Sequence, residues 1–136
     1  MEFLNEATYV DQADKVIQAL KAPKTINGRE IIPQLVTTSK IRNILAMAAD
    51  IYDNALQSSS NELGADITSR IEYLRVRVVY EYGRDNERNK PVQAFVKESH
   101  ILDYIKMIGS DKKKYIMFYR YLEALVAFHK FYGGKD

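Results

Sequence analysis

Three arginines, Arg70, Arg77 and Arg84, recur at intervals of seven residues. On an α-helix that period keeps them on one strip, drifting by about 20° per step, and spaces them by roughly 10 Å along the axis. Guanidinium groups in such a row can hold successive phosphates of a polynucleotide, since each offers a planar fork of donors and a permanent charge. Glu81 lies one turn from both Arg77 and Arg84, so the same strip also reads as an ordinary charged face closed by its own ion pairs. A second basic group stands where helix electrostatics disfavours it. Lys40 and Arg42 fall in the opening turns of a helix, at the positive end of its dipole. Cations at a helix N-terminus suit an anion there, and Thr37, Thr38, Ser39 and Asn43 could donate further hydrogen bonds to it. Lys112, Lys113 and Lys114 open another helix, partly offset by Asp111, and read rather as solvated lysines.

Catalytic chemistry finds no comparable pattern. The absence of Cys excludes a thiolate zinc site, a Cys nucleophile and a disulfide framework together. His100 and His129 fall on different helices; His100 and Asp103 are one turn apart, but a metal would need further ligands to which the sequence does not point. There is no Glu-x-x-His pair of the di-iron type. Gly133-Gly134-Lys135 lacks the upstream strand and the flanking residues of a phosphate loop and reads as a helix stop. No cofactor is expected.

Six Gly, three Pro and long stretches of 3.6-residue periodicity predict an all-α chain, a single compact bundle of about five helices spanning 1–136. A first helix and a linker would occupy 1–36, and the main bundle 37–136. The first helix begins near Thr8, in an approximate capping box with Asp11, and ends at Pro23. Asn27-Gly28 between isoleucines signals a small hairpin. The second helix follows Thr37-Thr38-Ser39, any of which could cap it, and buries Ile41, Ile44, Leu45, Ala48, Ile51, Tyr52 and Ala55. Asp66 is a candidate cap for a third helix running to about Tyr82. Its residues Ile67, Ile71, Leu74, Val78 and Tyr82 share one face and Tyr73, Val76 and Tyr80 another, which predicts a central helix buried on two sides. A fourth helix starts at Pro91 and stops at Gly109; Ser110 caps a fifth, which Gly133-Gly134 ends. That last helix holds Tyr115, Phe118, Tyr119, Tyr121, Phe128, Phe131 and Tyr132, mostly core, with Tyr132 beside Lys130 the ring placed to reach a ligand. Arg120 is expected to pair with Glu123 one turn away.

The net charge of +2 on 136 residues gives no reason by itself to expect nucleic acid; position on the helices does. Residues 1–25 contain Glu2, Glu6, Asp11 and Asp14 and no long apolar run, unlike a secretory signal or mitochondrial presequence, so a cytoplasmic protein is expected. The apolar stretch from Tyr115 to Tyr132 is broken by Arg120, Glu123, His129 and Lys130, a pattern for a buried helix and not for a membrane span.

Three runs carry a resemblance: 37–43 (Thr-Thr-Ser-Lys-Ile-Arg-Asn), 70–81 (Arg-Ile-Glu-Tyr-Leu-Arg-Val-Arg-Val-Val-Tyr-Glu) and 123–134 (Glu-Ala-Leu-Val-Ala-Phe-His-Lys-Phe-Tyr-Gly-Gly). In that order they resemble the small subunit of the type III-A CRISPR Csm effector complex. The resemblance implies a helical, non-catalytic subunit present in several copies along a guide RNA and its target RNA, touching its own copies and the backbone and large subunits, with cleavage performed elsewhere in the complex. It implies no membrane and no small-molecule substrate. By the same resemblance the candidate RNA contacts are Lys40, Arg42, Arg77 and Arg70, followed by Arg84, Arg75, Lys130 and Arg120. A helical protein–protein adaptor without direct RNA contact is the rival reading.

Overall fold

The computed structural model describes residues 1–134; Lys135 and Asp136, including the lysine of the Gly-Gly-Lys segment, lie outside the described residues. Among the described residues there are six helices and one hairpin: α1 (Tyr9–Lys21), β1 (Lys24–Ile26), β2 (Arg29–Ile31), α2 (Thr38–Gln57), α3 (Ala65–Gly83), α4 (Pro91–Ser99), α5 (Ile101–Ile108) and α6 (Lys112–Phe131). The all-α expectation holds, with one helix more. The extra one arises where the expected fourth helix breaks at His100, whose φ of 60° puts it in the left-handed region. The buried hydroxyl of Tyr121 donates to the Ser99 carbonyl at 2.8 Å, satisfying an acceptor the break releases. Neither Gly nor Pro marks the position.

The centre of the molecule is α6, which packs against α1, α2 and α5. Tyr115, Phe118, Tyr121, Leu122, Leu125 and His129 line its buried side. Around it lie Ala13, Val16, Ile17 and Leu20 of α1 and Ile41, Ile44, Ala48, Ile51 and Ala55 of α2. The Tyr115 hydroxyl donates to the Ala48 carbonyl at 2.6 Å, fixing α6 on α2. α3 is not the central helix its two apolar faces suggest. It packs on α2, α4 and α5 through Ile71, Leu74 and Val78, while Tyr73, Val76 and Tyr80 remain 57%, 58% and 52% exposed. Periodicity reports that residues share a face; whether a neighbour covers that face is decided by packing.

Helix ends depart from expectation in a consistent way. Thr8 precedes α1 without a side-chain cap; Asn5 Oδ1 instead accepts from the Ala7 and Thr8 amides at 3.0 and 3.1 Å. Gly64 and not Asp66 is the N-cap of α3, leaving Asp66 in its first turn. For α6 the cap is Asp111 and not Ser110, its Oδ1 accepting from the Lys113 and Lys114 amides at 2.9 and 3.3 Å. Asp, with two acceptor oxygens and a charge favoured at the positive helix end, outcompetes the neighbouring Ser. The hairpin forms as the Asn-Gly signal suggests: Ile26 pairs with Arg29, and Asn27 and Gly28 take φ of 54° and 78°, the two positive values a type I′ turn needs.

Candidate nucleic-acid interface

The basic residues divide into a cluster, an extension and outliers. Near its end α3 carries Arg77, then Tyr80 and Glu81 one turn on, and Arg84 follows at its C-cap after a further turn. Glu81 holds both arginines, at 3.5 Å from Arg77 and 3.0 Å from Arg84. Both guanidiniums also lie over the Tyr80 ring, 5.1 and 5.5 Å from its centroid. The Arg84 pKa is raised above its already high ordinary value, first by the hydrogen bond to Tyr80 and then by the Glu81 charge. Lys40, from the first turn of α2, lines a polar cleft with Glu81, Arg84, Asp85, Asn86 and Val92, and pairs with Glu87 at 3.1 Å. The structure therefore brings Lys40 and Arg84 to one cleft, with Arg77 joined to it through Glu81, and the Glu81 pairing that the sequence offered as the plainer reading of this strip is present.

What shapes the cleft is the connection from α3 to α4. Asp85 is buried, and its Oδ2 accepts from the Val92 and Gln93 amides at 2.8 and 3.1 Å while Oδ1 accepts from the Glu87 amide at 3.3 Å. It thus caps α4 from a distance in sequence. Lys90 Nζ donates to the Asp85 carbonyl, and Gln93 Nε2 to the Tyr82 carbonyl, closing the loop on itself. The other wall is set by the start of α2. The buried His129 ring places Nε2 at 2.5 Å from the Val36 carbonyl and Nδ1 at 3.4 Å from the Thr38 hydroxyl. A ring protonated on Nε2 donates to the carbonyl and accepts from Thr38. Thr38 is consumed in this contact and Thr37 pairs with Ser39, so these hydroxyls neither cap α2 nor stand ready for an anion.

Arg70 extends the strip one heptad toward the start of α3; it is exposed and has no ion pair among the described residues. Arg42 is likewise exposed, but two residues beyond Lys40 it points about 200° around the α2 axis, away from the cleft. Arg75 is turned about 140° from Arg70 and pairs with Glu72 at 3.3 Å. Arg120 reaches Glu6 at 3.5 Å and not Glu123, because the N-terminal segment crosses α6 with Leu4 buried, and Glu123 hydrogen-bonds Tyr119. Lys130 is exposed one residue after His129. The lysines at the start of α6 turn back on the protein, Lys112 onto the Ser58 carbonyl at 2.6 Å and Lys114 onto that of Met107 at 3.4 Å. Tyr132 is also committed: its hydroxyl donates to Asp14, and Lys21 reaches its carbonyl at 2.7 Å. The residues that sequence reasoning passed over are Tyr73 and Tyr80. Each stands three residues beyond an arginine of the heptad, a spacing that could have found them.

Among the described residues no three His, Asp or Glu side chains gather as a metal site, and no helix is long and apolar enough to cross a membrane. Fold and surface define a small helical protein whose notable feature is an arginine strip on one exposed helix. The type III-A Csm2 family matches residues 11–135. A CRISPR system protein Csm2 from Streptococcus thermophilus is 37% identical over 136 residues, all of each chain. One from Mycobacterium tuberculosis is 37% identical over 128 residues, 94% of each, and one from Enterococcus italicus is 32% identical over 91% of this chain and 89% of that one. The chain belongs to the Csm2 family of type III-A CRISPR systems.

Proposed function

We propose that this chain, as the Csm2 subunit of a type III-A CRISPR Csm complex, is a non-catalytic RNA-binding scaffold of the cytoplasm that helps seat the guide RNA and its target. Several copies would lie along the duplex, in contact with one another and with the backbone and large subunits. The observation that supports this most directly is the row of exposed Arg70 and half-exposed Arg77 on α3 and exposed Arg84 at its C-cap, joined at that end by Lys40. Their Glu81 and Glu87 partners do not argue against it. Glu81 is only 18% exposed, but Arg77 and Arg84 are 40% and 56% exposed, so each guanidinium can trade its carboxylate for a phosphate; the more open Lys40–Glu87 pair is worth about 0 to 1 kcal/mol. Contacts of this type go to the sugar–phosphate backbone and carry no sequence preference, as suits a subunit that must accept any guide.

The test is salt dependence. Each phosphate contact to a single strand adds about 0.7 to the slope of log affinity against log salt. Charge reversal of two contacts, Arg70→Glu with Arg77→Glu, should lower RNA retention in the assembled complex and flatten that slope by roughly 1.4. Unchanged retention by a normally assembled complex would remove these residues from the interface. The exposed Val76 and Val79 favour the rival, a protein-docking face on the same helix; in that case the double reversal would impair assembly and leave the salt slope as it was.

A further inference from the structure

Along α3 the exposed strip is not arginine alone. Arg70, Tyr73, Arg77, Tyr80 and Arg84 alternate at spacings of three and four, so all five fall within an arc of about 80° on the solvent side. Tyr73 and Tyr80 are 57% and 52% exposed, and no aromatic or cationic group covers Tyr73 among the described residues. Large rings left half in water on a helix that has a core face of its own lack a packing explanation. Their neighbours are cations, with Arg77 and Arg84 both over the Tyr80 ring and Glu81 holding the two guanidiniums in place. An aromatic ring beside guanidiniums is the combination that holds single-stranded nucleic acid: the ring stacks a base while the cation meets the adjoining phosphate, which at Tyr80 requires a guanidinium to swing from the ring to the phosphate.

We propose that Tyr73 and Tyr80 are base-stacking platforms for single-stranded RNA, and that the arginines between and beside them hold the phosphates of the same strand. The proposal rests on the RNA-binding reading above and adds a ligand requirement: the strand meets these rings where its bases are unpaired, either before guide and target pair or where a base turns out of the duplex, while the arginines keep to the backbone. The two rings are seven residues apart, about 10 Å along the axis, or about three steps at the 3.4 Å rise of a stacked strand. They would therefore take bases splayed out of the strand about three nucleotides apart, and would do so without regard to base identity, because every base has a π-face.

Paired RNAs separate stacking from charge. The full-length chain, alone and reassembled with its complex partners, is titrated at low salt with a single-stranded RNA of about twelve nucleotides and with a strand of equal length whose central sugars are abasic. Intact RNA should bind more tightly than abasic RNA. Tyr73→Ala and Tyr80→Ala should each weaken the intact strand by about tenfold, leave the abasic strand unaffected and keep the salt slope. Tyr80→Trp should retain binding. Arg77→Glu should weaken both strands. Equal binding of the two strands by the unmodified chain, or equal losses on both in the tyrosine variants, would overturn the stacking role and leave phosphate binding standing. Tyrosine variants that bind RNA normally but fail to enter the complex would overturn it in favour of a protein contact. No binding of either strand in either setting would overturn the RNA-binding reading along with it. Both side chains are more than half exposed, so the variants should keep the unfolding midpoint of the unmodified chain.

Discussion

At the scale of single residues, Glu81 decides how the arginine strip behaves. It is the common partner of Arg77 and Arg84, and both must loosen from it to meet a phosphate. Glu81→Gln should therefore tighten RNA binding, by about two- to fivefold in a titration at low salt, without moving the unfolding midpoint. A loss of affinity would mean instead that the carboxylate holds the guanidiniums where RNA needs them. Asp85 acts on the other side of the same cleft. Its carboxylate serves three amides from a buried position, so Asp85→Ala should cost about 1 to 2 kcal/mol in urea unfolding while leaving the charged strip in place. The strip itself was legible in the sequence because a seven-residue period fixes an angle on any helix. Lys40 with Arg84 was not legible, since two residues on different helices meet only through the packing of α2 on α3 and the course of the loop at 84–90. Asp85 carries little local signal: it accepts from the Glu87 amide two residues on, but the α4 amides it caps lie seven and eight residues away.

At the scale of elements, the start of α2 is held by the end of α6 and not by a cap of its own. The His129 ring bridges the Val36 carbonyl and the Thr38 hydroxyl, and a Cβ on Gly134 would collide with that ring, so only glycine lets the chain fold over it. His129→Phe fills the site but leaves both polar groups unsatisfied, which should cost about 1 to 3 kcal/mol. Faster amide exchange at 38–41 than elsewhere in α2 would locate the loss at this contact; uniform acceleration would instead mean that the whole helix depends on it. The helices were readable where their apolar residues recur over several turns. Their termini were less so, because Thr37, Thr38 and Ser39 offer equivalent caps locally and the His129 contact, remote in sequence, takes Thr38. The break at His100 was invisible for the same reason: it is held by Tyr121, which bonds the Ser99 carbonyl from twenty-two residues further on.

At the scale of the whole molecule, the position of α6 in the centre and α3 at the surface follows from which helix can bury aromatic rings with their hydroxyls satisfied. Tyr115 and Tyr121 do so, each donating to a backbone carbonyl inside the core, whereas Tyr73 and Tyr80 of α3 remain more than half exposed. Amphipathic patterns on both helices made them look alike in the sequence. The arrangement has a consequence for stability against pH. Burial raises the pKa of both the Tyr115 and the Tyr121 phenol well above the ordinary tyrosine value of 10.0. In the unfolded chain these phenols ionise near pH 10, so their contribution is complete below that pH and is lost as the solution becomes more alkaline, when the unfolded state releases protons that the folded state retains. Unfolding free energy should fall by about 1.4 kcal/mol per pH unit for each of the two rings above pH 10. Tyr121→Phe should remove one of the two contributions, halving the part of the slope due to these rings, at a cost near neutrality of about 1 kcal/mol for the lost bond to Ser99. Urea titrations of the two proteins at matched pH between about 8 and 11 cancel the lysines, which titrate in both. Parallel curves across that range would mean that the Tyr121 phenol ionises in the folded protein as readily as in the unfolded one, and that the core around α6 admits water.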